Sequence, residues 1–258
     1  MNTQRIDLTT IPPAYRMGFD EFVRLLAGLA GDNLRGLVAF GGWRVKDPFY
    51  DAEPARSVAL LERIDLPMLD QLALHGAQLG KLNVSAPLMM TTDYIESSRD
   101  VFPLELLEIQ RTGAPVVGDD PFADLRFEPR HVRLQCEREF KGELIHLRHG
   151  LLAAAGKRHL LAELCRSVTA RVVRLLRGVL LLKQTGEIPT HAAQIPTHAA
   201  QNPADAAQIV AAAADAYGQP LPALAGIVAG PAAIEFDDFQ RFYAEIDALA
   251  RFVDALPE

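Results

Sequence analysis

The spacing of apolar residues changes near the middle of this chain. Before about residue 128, short apolar runs alternate with helical stripes; beyond it, apolar positions recur at steps of three and four. In the first part, Phe19, Phe22, Val23, Leu25, Leu26 and Leu29 share one helical face, which Gly31 ends. Leu34–Phe40 then reads as a buried strand broken by Gly41-Gly42-Trp43. Arg56–Leu61 reads as a second strand, reached through a loop that holds Pro48, Asp51 and Pro54. Asp65 predicts an N-cap with Pro67 in the first turn of a helix running to about Leu79, where Gly80 stops it. Leu82–Met90 is the expected third strand, and Thr91-Thr92-Asp93 opens a short helix to about Ser98. Val101–Ile109 and Ala114–Val117 are expected to complete the sheet, with Gly118-Asp119-Asp120-Pro121 turning out of it.

The second part is helical. After Pro129, the residues Val132, Cys136, Phe140, Leu144, Leu147 and Leu151 line one face. Leu160–Leu182 is apolar on most sides, as the central helix of a bundle would be. Ala204–Tyr217 and Glu235–Leu256 add two helices, with a short one at Leu221–Ala229 between them. The pattern as a whole predicts an α+β protein: a mixed sheet with flanking helices in residues 1–128, then an α-helical bundle in residues 129–258. Ile188–Gln194 (IPTHAAQ) is repeated letter for letter at Ile195–Gln201, with a decayed copy at Asn202–Gln208. Pro189, Pro196 and Pro203 interrupt any helical ladder there, so about 184–203 is expected to be a mobile loop. Its histidines, His191 and His198, read as solvated side chains of a tolerated insertion rather than metal ligands.

Composition narrows the classes of function. The chain has 258 residues, 49% hydrophobic and 23% charged, enough for a sizeable core. Its net charge of −7 argues against nonspecific capture of nucleic acid. Cys136 and Cys165 stand in no CxxC pair, so buried thiols are expected rather than a disulfide or structural zinc. Met1–Pro13 has no apolar signal core. No run reaches the roughly 18 apolar residues of a membrane span, and Val168–Leu182 is interrupted by Arg171, Arg174 and Arg177. A soluble, cytoplasmic protein without a membrane partner is the expectation. GxSxG, P-loop, HExxH and GxGxxG motifs are all lacking.

A glycine pair after a buried strand lets backbone N–H groups approach a phosphate, and here it is Gly41-Gly42. With the sheet order of the first part, the helical bundle after it and the stretch Ser97–Ile109 (SSRDVFPLELLEI), the chain resembles the nucleotidyltransferase fold of the polymerase-β type. That stretch is similar to one in bacterial proteins described as nucleotidyltransferase-like. The resemblance covers most of residues 19–182. It implies a Gly-Ser turn and an Asp-x-Asp pair for magnesium on the next strand. In this chain Gly42 stands at the serine, and the acid pair falls at Ser57 and Ala59. A third carboxylate position, on a later strand, aligns with Asn83/Ser85 or with Glu105. Magnesium needs near-octahedral oxygen ligation, which these residues do not supply.

The resemblance therefore implies a degenerate, catalytically inactive member without metal or cofactor. Such a protein binds a nucleotide-like or small anionic ligand, or a protein partner. The candidate ligand-binding residues are Gly41, Gly42 and Trp43 at the turn, with Arg171 and Arg174 in an arginine row on the long helix. The alternative use of that row is pairing with bundle acids such as Glu137, Glu139, Glu143 or Glu163. An active, magnesium-dependent enzyme would have to recruit Asp47, Asp51 and Glu105. A third possibility is a structural protein acting through its bundle, for instance a homodimer through Leu160–Leu182. His146 and His149 beside Glu143 read as polar bundle surface rather than a metal set.

Overall fold

A computed structural model describes residues 6–41, 54–118, 120–185, 204–230 and 233–256. The chain forms two compact units. One holds the described residues up to Arg99 together with Glu105–Leu125; the other holds Asp100–Leu104 and the described residues from Arg126 onward. The architecture is α+β: a mixed four-stranded sheet with helices, followed by a helical bundle.

The first unit opens with α1 (Pro13–Ala30), started by Pro13 and ended at Gly31. A 3-10 turn (Gly31–Asn33) leads into β1 (Leu34–Phe40), and β2 (Arg56–Leu61) returns antiparallel to it. Strand β3 (Leu88–Met90) lies parallel to β2, and β4 (Ala114–Val117) lies antiparallel to β1, giving the order β3-β2-β1-β4. In the β1–β2 ladder Leu37 faces Ala59 and Ala39 faces Ser57, while Val38 faces Val58 and Phe40 faces Arg56. Because side chains alternate along a strand, these pairs mark two faces. On the first, Leu37, Ala39 and Ala59 join a core with Phe19, Phe22, Val23 and Leu26 of α1. Each fully buried Phe or Leu there contributes about 1.5–3 kcal/mol. The second face meets the end of a helix, where a Cβ on Gly113 would lie 3.0 Å from Val38 Cγ1.

The segments between the strands depart from the sequence pattern in three places. The single helix expected from Asp65 is two: α2 (Leu66–Ala73), capped by the Asp65 side chain on the Met68 N–H at 3.1 Å, and α3 (Gly76–Lys81). Gly80 lies within α3 instead of ending it. The third strand is confined to Leu88–Met90, because Leu82 and Asn83 close α3, Asn83 at φ +56°. Only a lone parallel bridge from Val84 to Ala55 precedes it. After the expected short helix, α4 (Thr92–Ser97), which Thr91 caps, the expected strand Val101–Ile109 is instead helix α5 (Pro103–Thr112). Its short apolar run is compatible with a strand, but Glu105 and Glu108 are spaced for a helix, with Leu106, Leu107 and Ile109 buried. Proline at the first helical position and a run of strong helix formers settle the choice.

The helical unit is built on a hairpin of α6 (Pro129–Ala154) and α7 (Arg158–Thr185). The two run antiparallel, Cys136 Sγ lying 3.8 Å from the Leu175 carbonyl while a Cβ on Gly150 would touch Leu164. Val132, Cys136, Phe140, Leu144 and Leu147 are the buried face of α6. Helices α8 (Ala204–Tyr217), α9 (Pro222–Val228) and α10 (Phe236–Asp254) all pack on α7, which is the central helix. The Glu245 carboxylate of α10 accepts from the N–H groups of Ala223 and Leu224, both at 2.8 Å, satisfying the open donors at the start of α9. Gln135, buried in α6, accepts from the Leu104 N–H at 2.9 Å. No described helix is long and apolar enough to cross a membrane. The repeat loop expected at about 184–203 lies almost wholly outside the described residues.

Two measurements follow from this architecture. Gly118 has φ +67°, and a Cβ there would sit 2.3 Å from the Arg35 carbonyl oxygen of β1. Gly118→Ala is expected to lower unfolding free energy by about 2–3 kcal/mol in urea titrations. At the start of α10, the Glu235 N–H and then Arg241 hold the Asp238 carboxyl below the ordinary carboxylate range. A depressed pKa stabilises the fold above that range and the effect is lost as pH falls through it. Asp238→Asn should therefore lower Tm at neutral pH, with the difference closing on acidification.

Candidate functional site

The residues that converge in the first unit do so where β1 ends. Gly41 follows Phe40 with φ +103°, a conformation that turns the chain sharply and suits glycine. Its N–H donates to Thr112 Oγ1 at 3.0 Å, and the Thr112 hydroxyl in turn donates to the Glu108 carbonyl at 2.7 Å. Thr112 and Glu108 stand one turn apart on α5, so a single helical face supplies both. Across the strand end, Arg56 opens β2 opposite Phe40. Its guanidinium lies 4.5 Å from the centre of the Phe40 ring, and Nη1 is 3.5 Å from Glu108 Oε1. The aromatic face and the carboxylate together hold a half-buried cation beside the glycine turn.

The next positions of β2 carry no charge. Ser57 is 1% exposed and Ala59 is 0% exposed. They point to the α1 side of the sheet, with Ala59 inside its apolar core. The Ser57 hydroxyl has no hydrogen-bond partner among the described residues. The two positions at which the resemblance implies magnesium-binding acids are thus packed and neutral.

The other candidate residues are dispersed. Gly42, Trp43, Asp47 and Asp51 lie outside the described residues. Glu105 is on an exposed part of helix α5, not on a strand, which corrects the register that aligned it with a third strand carboxylate. The second alignment, Asn83/Ser85, also falls outside the strands, in the link from α3 to β3. In the helical unit, Arg171 is engaged by Glu143 through two bonds of 2.5 and 2.8 Å, and by Ser167 Oγ at 2.8 Å. That fork raises the Arg171 pKa above its ordinary value, the Glu143 hydrogen bond being the main cause. Arg174, half-buried, has no hydrogen bond or ion pair with another described residue. His146 and His149 are exposed, and no group of three or more His, Cys, Asp or Glu able to hold a metal exists among the described residues. Both cysteines are buried thiols with pKa pushed up to about 12, chiefly by burial, so neither is a nucleophile near neutral pH.

Sequence reading did not single out Arg56, Glu108 or Thr112. Arg56 is the first residue of its strand, and Glu108 and Thr112 share a face only at helical period, so reading 101–109 as a strand hid their relation. Compared with protein-family models the chain matches none, and it matches no curated protein.

The Thr112 relay gives a direct check. Thr112→Val leaves the Gly41 N–H without its acceptor and should destabilise the fold by about 1–2 kcal/mol, whereas Thr112→Ser retains the bond and most of the stability. Chemical denaturation of both variants measures the difference.

Proposed function

We propose that this chain is a nucleotidyltransferase-like protein without catalysis, which binds a nucleotide-like anion at the end of β1. The observation that carries this reading is the charge along β2. Active members of the resembled family present two acids there, and phosphate charge reaches them through magnesium. Here the corresponding residues are the buried, neutral Ser57 and Ala59, and the charged residue next to them is Arg56. A guanidinium meets phosphate oxygens directly, with two parallel N–H bonds and no intervening ion. Its aromatic support on Phe40 sets the plane of the fork, and the neighbouring Glu108 keeps the empty site electrically balanced. A bound phosphate then takes the place of Glu108 as counter-ion. Phosphoryl chemistry additionally needs fixed charge on both the attacking and the leaving oxygen, and one arginine serves only to hold the ground state.

Calorimetric titration with ATP, with and without magnesium, tests this reading. Binding should persist when magnesium is chelated, weaken at least tenfold in Arg56→Gln, and release no pyrophosphate. Magnesium-dependent pyrophosphate release that disappears in Asp47→Asn or Asp51→Asn would instead establish an active enzyme using displaced acids. An absence of binding at millimolar nucleotide would remove the ligand assignment.

A further inference from the structure

The helical unit holds a groove of about 270 Å³ lined by Arg148 and Leu151 of α6 and by Phe236, Phe239, Gln240 and Tyr243 of α10. Its chemistry is unlike that of the strand end. The rings of Phe236 and Phe239 lie nearly parallel, 18° apart with centroids 6.5 Å distant, as a stacked aromatic pair at the groove. Phe239 is buried and fixed, while Phe236 keeps 40% of its surface exposed, so aromatic area remains to be covered. Arg148 stands at the same groove. Its Nε donates to Tyr243 Oη at 2.7 Å, and the guanidinium carbon is 5.6 Å from the centre of that ring. One bond and one ring thus orient the guanidinium, and its two terminal NH₂ groups remain for a ligand. Arg148 has no carboxylate partner among the described residues.

Of the three acids beside Phe236 in sequence, Asp237 is exposed and outside the groove lining, and the other two are engaged. Glu235 pairs with Arg158 at 3.3 Å. Asp238 accepts from the Glu235 N–H at 3.0 Å and pairs with Arg241 at 2.5 Å. A larger hollow beside Tyr217 offers no comparable cation, because its Arg251 is paired with Asp247. Size separates a small ligand from a protein partner. The groove is close to the lower limit of about 300 Å³ for small-molecule sites, whereas a stable protein interface buries about 1,200–2,000 Å². An oriented guanidinium next to the exposed ring of Phe236 complements a molecule with a planar ring at one end and a carboxylate at the other.

We infer that this groove is a binding site for a small aromatic carboxylate, its ring laid against the exposed Phe236 and its carboxylate held by the terminal NH₂ groups of Arg148. The site is independent of the nucleotide reading. The probe is 3-phenylpropionate, titrated into the full chain and followed by amide chemical shifts and calorimetry. Saturable binding is expected, with shifts concentrated at Arg148, Leu151 and Phe236–Tyr243. The neutral 3-phenylpropanamide should bind at least tenfold more weakly to the same unaltered chain, a comparison that needs no variant. Arg148→Gln should lose at least tenfold in affinity for the acid and nothing for the amide, and Tyr243→Phe should lose a few-fold as the guanidinium loses its orientation. No saturable binding at millimolar probe, equal affinity for acid and amide, or shifts located elsewhere would overturn the assignment.

Discussion

A strand packed on both faces admits a carboxylate only where another charge compensates it, because an isolated buried charge costs several kcal/mol. Strand β2 is such a strand. It lies between β1 and β3, and Ser57, Val58, Ala59 and Leu61 are all buried. Placing two acids at 57 and 59 would oblige the fold to open that face or to supply cations to it. The chain does neither: α1 lays its phenylalanines against the same side of the sheet, and Ala59 joins them. The neutral residues of β2 and the tight packing of α1 are two expressions of one constraint.

The same logic governs charge in the bundle. Helix α7 is surrounded by α6, α8, α9 and α10, so its arginines emerge at seams rather than on an open face. Arg171 is neutralised by the Glu143 fork, and Lys183 lies over the Phe252 ring with Nζ 5.1 Å from its centre. The helix that read from sequence as a possible dimer surface buries Leu161, Cys165, Val168, Val172, Leu176 and Val179 within its own unit. Within the arginine row, Arg171 closes such a seam, whereas Arg174 has no hydrogen bond or ion pair with another described residue. Arg148 of α6 differs, since its fixed contact is to a neutral phenol.

Much of the fold was legible in the residues alone, for identifiable reasons. Strands β1 and β2 are short apolar runs bounded by glycine and proline, and the long helices repeat their apolar residues over many turns. Asp65 and Thr91 cap helices as their chemistry dictates. Legibility failed where a segment satisfied two periods. Residues 101–109 are a short, mostly apolar run, as a strand can be, and also place Leu106, Leu107 and Ile109 on one helical side. Similarly, the apolar residues from Leu82 onward read as a strand, yet Leu82 and Asn83 are spent closing α3. The site was less legible than the fold, because its parts are joined by tertiary pairing: Arg56 meets Glu108 only once α5 is seated on the sheet.

That seating explains why one misread segment mattered for the site. As a strand, residues 101–109 would put Glu105 and Glu108 on opposite faces and invite Glu105 into a metal set. As a helix, the chain winds Glu108 and Thr112 to a common side. Glu108 then reaches the cation of β2 and Thr112 the N–H of Gly41, while Glu105 is left exposed. The Gly41 N–H, the one donor of that turn among the described residues, is therefore already held by a threonine. For the anion proposed above, the arginine would be the charged contact at this strand end, and the ligand would have to be anionic enough to displace Glu108 from it.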